Sequence, residues 1–77
     1  MQLEVLSVKG VLVGCEVTSV VLPGLEGSFG ILPGHTPFIS VLIEGKMSYF
    51  NPEENILVIS GGFVKVQDDI ISVCLNS

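Results

Sequence analysis

The sequence predicts an all-β chain, an antiparallel sandwich or barrel of roughly six to ten short strands. Three observations predict it. Apolar residues recur with the period of two that marks a half-buried strand. Turn signals arrive about every eight to twelve residues. Between Gly and Pro no longer stretch shows helical spacing. With 77 residues the chain has room for one domain, residues 1–77.

Taken in order, Leu3 and Val5, with Gln2 and Glu4 opposite, give the first strand. Val11, Val13, Cys15 and Val17 alternate with Leu12, Gly14, Glu16 and Thr18 in the second. Val20, Val21 and Leu22 follow in a row, as in a strand covered on both faces, and Pro23-Gly24 is expected to stop it. Ile39, Val41 and Ile43 set the apolar parity of another strand, ended by Glu44-Gly45. Met47 and Tyr49 continue the pattern, and residues 51–55 read as a polar hairpin loop. The unbroken apolar run Ile56–Ile59 predicts a strand buried on both sides. Val64 and Val66 alternate with Phe63, Lys65 and Gln67, and Asp68-Asp69 turns the chain into Ile71, Val73 and Leu75.

The formal net charge is −5, and the three cations are Lys9, Lys46 and Lys65. Without arginine there is no bidentate fork for phosphate, and no basic stripe to release counterions, which argues against nucleic acid as a partner. The opening residues, with Glu4 and Lys9 beside short apolar runs, do not read as a signal peptide. No apolar stretch approaches the ~20 residues of a membrane helix, so no direct membrane insertion is expected. Cys15 and Cys74 fall in apolar strand patterns and read as buried, reduced thiols of a reducing compartment.

Reactive constellations are not evident. His35 is the single imidazole, and Gly27-Ser28-Phe29-Gly30 lacks the spacing and the helix of a nucleophile elbow. One His and two distant Cys match no zinc spacing, and the acidic pairs Glu53-Glu54 and Asp68-Asp69 fit solvated turns. The glycines at 24, 27, 30 and 34 precede neither a helix nor Gly-Lys-Ser/Thr, so they read as turn formers rather than a phosphate cradle. The expectation is no catalytic residue, no metal and no cofactor. Two rival readings are a free-standing sandwich that binds a small anion or sugar at the glycine loop, and a small hydrolase using His35.

Residues 27–40, GSFGILPGHTPFIS, carry no charge apart from what His35 can take up. Pro33 fixes φ for a turn that Gly34 can complete, and Pro37 holds Thr36 extended. Gly30, Pro33, Gly34 and Pro37 are therefore loop-shaping, and His35 is pinned between rigid points, as an internal brace or a partner contact. The wider run LPGLEGSFGILPGHTP, residues 22–37, closely resembles the signature of the epsilon subunit of F-type ATP synthases, called delta in mitochondria. Leu42 with Gly45, the Ser60-Gly61-Gly62-Phe63-Val64 segment and the closing Ile71-Ser72-Val73 follow in the family's order, so the likeness runs from about residue 3 to 75.

That resemblance implies a sandwich of two packed sheets and about ten strands. It also implies a non-catalytic rotor subunit that joins the gamma subunit of the central stalk to the membrane c-ring and couples rotation to ATP synthesis. Peripheral attachment at the cytoplasmic face of a bacterial inner membrane is the family expectation. By position, Glu26, Gly27 and Ser28 correspond to the ring-facing loop, although many relatives carry a carboxylate where this chain has Ser28. Ser7, His35 and Ser40 correspond to the gamma side. Most relatives continue into an inhibitory helical hairpin, which in some binds ATP. If Ser77 is the natural end, neither the brake nor ATP binding is expected; if the chain runs on, that expectation lapses.

Overall fold

The computed structural model describes residues 1–34 and 36–76. Its nine strands follow in chain order: β1 (Gln2–Ser7), β2 (Gly10–Glu16), β3 (Val20–Gly24), β4 (Gly27–Ile31), β5 (Phe38–Leu42), β6 (Gly45–Phe50), β7 (Glu54–Ile59), β8 (Gly62–Gln67) and β9 (Ile70–Leu75). Among the described residues there is no helix. Hairpins join β1 to β2, β3 to β4, β6 to β7 and β8 to β9. The β8–β9 turn places Asp68 and Asp69 at φ 54° and 63°, the paired left-handed geometry of a two-residue hairpin.

The strands form one curled sheet in the order β2-β1-β9-β8-β5-β3-β6-β7, with β4 beside β3. Between β5 and β3 the ladder narrows to a single pair, Gly24 with Leu42, reinforced by the Ile43 N–H donating to the Pro23 carbonyl at 3.0 Å. At this crease the sheet folds over, so a five-stranded layer (β2, β1, β9, β8, β5) faces a four-stranded layer (β3, β4, β6, β7). One pairing departs from the antiparallel expectation: β1 and β9 run parallel. They are the first and last strands, and the rest of the chain supplies the crossover a parallel pair requires.

Leu3, Val5, Val64, Ile71 and Val73 from the first layer pack against Val20, Leu22, Ile31 and Met47 from the second, all fully buried. No polar or charged described residue is buried. The period of two thus placed β1, β8 and β9 correctly. Four other strand expectations change. In β5 the parity is inverted: Leu42 is buried, Phe38 and Ser40 are half-buried, and Ile39, Val41 and Ile43 point outward. In β7 only Leu57 and Ile59 turn inward; Ile56 and Val58 alternate onto the outer face of the layer, which no described element covers, and are exposed. Val21 is likewise exposed, and Pro23 and Gly24 are the buried end of β3 rather than its stop.

Val11 is the fourth. Val5 pairs with Val13 but Leu6 pairs with Val11, so Leu12 is an extra residue and Val11 moves to the outer face. A bulge of this kind reverses the side-chain parity beyond it. The two thiols are free and half-buried, not fully buried as expected. Their register puts them on opposite faces: Cys15 pairs with buried Leu3, Cys74 with Leu6 and Phe63 on the outside.

Candidate partner-binding site

Strand direction sorts the loops of the five-stranded layer into two ends. One end carries the β1–β2 turn and the β7–β8 connection; the other carries the β8–β9 turn and the segment that leads into β5. Glu26, Gly27 and Ser28 follow Gly24, which pairs with Leu42 at the C-terminal end of β5, and are exposed. They cap the β3–β4 hairpin, whose five consecutive pairs, Val20–Ile31 through Gly24–Gly27, hold the turn on a regular ladder. Gly24 also sits under the Phe29 ring, where an added Cβ would meet Cε1 at 2.8 Å. Phe29 in turn packs edge-on against Phe38, centroids 5.8 Å apart. The turn is therefore anchored from below by an aromatic pair.

Ser7 lies at the first of these ends, at the close of β1. Its hydroxyl donates to the Gly10 carbonyl at 3.2 Å and accepts from the Lys9 N–H at 3.2 Å, so it braces its own hairpin. Ser40 sits mid-strand in β5 with its side chain on the inner face, and its hydroxyl donates to the Val41 carbonyl at 3.5 Å. Ser40 and residues 24–29 line one open concavity of about 480 Å³. Ser40 thus shares a hollow with Glu26, Gly27 and Ser28, although the two groups were expected to face different partners.

His35 lies outside the described residues. Of its neighbours, Gly34 adopts φ 84°, a left-handed turn conformation that glycine takes without strain. Pro33 and Pro37 are exposed, and Gly30 is paired with Val21 inside β4. Leu32, Gly34 and Pro37 border a shallow hollow with Asp68 and Asp69, at the end opposite Ser7. The sequence-based gamma-side group is therefore split, with Ser7 at one end and the residues flanking position 35 at the other.

Charge gives little focus. Among the described residues no three His, Cys, Asp or Glu side chains converge as metal ligands, and no described helix is long and apolar enough to cross a membrane. Sequence reasoning missed the outer face of the five-stranded layer, where Val11 (67% exposed), Val41 (54%) and Phe63 (47%) form an apolar row. Its signal was the double parity of residues 38–43, apolar at both odd and even positions.

The family model described as ATP synthase, Delta/Epsilon chain, beta-sandwich domain matches residues 1–77. The chain is 37% identical over 79 residues to the ATP synthase epsilon chain of Psychrobacter cryohalolentis, covering 100% of this chain and 57% of the relative. It is 40% identical over 74 residues to that of Lawsonia intracellularis, covering 95% and 56%. The chain therefore spans a little over half the length of these relatives. Its fold matches a chain in the Euglena gracilis mitochondrial ATP synthase (OSCP/F1/c-ring) with TM-score 0.87 at 24% identity, covering 97% of this chain and 49% of that one. A chain of the Tetrahymena thermophila central stalk/c-ring structure matches with TM-score 0.85 at 14% identity, covering 100% and 63%. The chain belongs to the beta-sandwich domain family of ATP synthase delta and epsilon chains.

Proposed function

We propose that this chain is a non-catalytic rotor subunit of a proton-translocating F-type ATP synthase, joining the gamma subunit to the c-ring at the cytoplasmic face of a bacterial inner membrane. The observation that carries the proposal is the family match over all 77 residues. The geometry suits the role. A joint that transmits torque needs a stiff body, and a sandwich whose core side chains are fully buried deforms little. It also needs a contact loop that holds its position under load. The exposed turn at Glu26, Gly27 and Ser28 rises from a regular hairpin locked by the Phe29–Phe38 pair.

In this reading Glu26, Gly27 and Ser28 meet the polar loops of the ring, with Glu26 as the local carboxylate. Ser7, His35 and Ser40 belong to the gamma side. The chain performs no reaction itself and couples rotation of the ring to chemistry elsewhere in the complex. Inverted membrane vesicles stripped of the subunit and then resupplied with this chain test the proposal. Proton-driven ATP synthesis is expected to return with the added chain. Unchanged synthesis, with the chain present and folded, would refute it.

A further inference from the structure

The outer face of the five-stranded layer has a symmetry that its sequence conceals. Val11, Leu6, Cys74, Phe63 and Val41 are joined pairwise by register into one row that crosses β2, β1, β9, β8 and β5. β9 is the middle strand of this layer. In the adjacent row Ser72 of β9 is flanked by Glu4 on β1 and Lys65 on β8, one strand away on either side. Both charges are exposed.

We propose that this face pairs with a second copy of the chain about a two-fold axis running along β9. A half-turn about that axis lays β8 over the partner's β1 and β5 over the partner's β2. Phe63 then covers Leu6 of the other copy and Val41 covers Val11, so the apolar rows coincide. Lys65 meets Glu4 of the other copy, and the same contact recurs on the far side of the axis. An isologous interface requires this self-complementarity, in which residue i meets j and j meets i. A half-turn about any other strand of the layer would not bring Lys65 over Glu4.

Size is consistent with a weak, specific contact. Five strands ~4.8 Å apart give a face about 20 Å wide, and two such faces bury on the order of 1,200 Å², the lower limit for a specific interface. Sheets packed face to face lie ~10 Å apart and cross at about −30°, which a small tilt of the axis accommodates. That spacing puts the two Cys74 residues on the axis yet too far apart for a disulfide, which needs Cα atoms within about 7 Å. A short bismaleimide can bridge them. Cys15, on the inner face, cannot substitute.

This pairing does not depend on the rotor assignment, and its test is separate. Sedimentation equilibrium of the 77-residue chain is expected to show monomer and dimer, with half-association on the order of tens of micromolar. Lys65→Glu alone, and Glu4→Lys alone, should each weaken association about tenfold, and the double variant should restore it. Bismaleimide should join wild type and Cys15→Ser but not Cys74→Ser, with circular dichroism verifying that each variant is folded. A chain that stays monomeric into the millimolar range would overturn the proposal. So would larger assemblies, or charge reversals with no rescue. The same holds if hydrogen-exchange protection of Val41 and Phe63 appears only when a gamma subunit is added, since the face would then belong to the stalk.

Discussion

The two layers have similar inner faces and unlike outer ones. Inside, both present Leu, Ile, Val and Met in the alternation that buries one face of a sheet. Outside, the four-stranded layer shows Lys46, Ser48 and Gly30 around Val21, and its other exposed apolar residues, Ile56 and Val58, lie on the edge strand β7. The five-stranded layer instead carries an apolar row through its middle, flanked by one cation and one carboxylate. Alternation decides which side chains build the core. Only the outer residues separate a solvated face from one shaped to be covered.

The largest expected effect breaks the five-stranded layer itself. Gly62 begins β8 at φ 150°, and an added Cβ would clash with the Cys74 carbonyl and lie 2.9 Å from Leu75 Cα. Both neighbours are backbone on β9 and cannot rotate away. Gly62→Val should therefore cost more than about 4 kcal/mol, enough to leave little folded protein by urea titration. Next comes the core that both layers share. Leu22→Ala should cost about 2–5 kcal/mol in the same assay, whereas Phe63→Ser on the outer face, where the ring is only half covered, should cost about 1 kcal/mol. Equal losses for the two would erase the distinction between faces.

Smaller effects sharpen the picture at the ends. Ser28→Asp adds a second carboxylate to the proposed ring-facing turn and should leave folding unchanged. If the turn meets cationic loops of the ring, binding to purified c-ring at low salt should tighten by up to about fivefold, and the gain should fade as salt rises. Asp68→Gly relieves one left-handed aspartate in the β8–β9 hairpin while leaving the Asp69 ion pair with the N-terminal ammonium in place, and should raise stability by about 0.5 kcal/mol in thermal melts.

Much of this architecture was legible in the residues. Strands β1, β8 and β9 alternate cleanly because one face is buried and the other polar, apart from Leu6, Phe63, Ile70 and Cys74. Where outward residues are themselves apolar the rule loses its footing. Residues 38–43 offer Phe38 and Leu42 on one parity and Ile39, Val41 and Ile43 on the other, and only the pairing with β8 decides between them. The bulge at Leu12 and the uncovered outer face of β7 are likewise properties of the sheet, invisible in either strand alone. The turn at Glu26–Ser28 was legible from its glycines, and its exposure follows. Where Ser7 and Ser40 sit relative to that turn was not, because strand direction and register emerge only from the long-range ladder.

The rotor assignment stands on contact with the stalk, and binding to a purified gamma subunit measures that contact directly. Isothermal titration of the folded chain into gamma, with a c-ring pull-down alongside, should give saturable one-to-one association and capture of all three components together. A chain with native circular dichroism that binds neither gamma nor the ring would contradict the account.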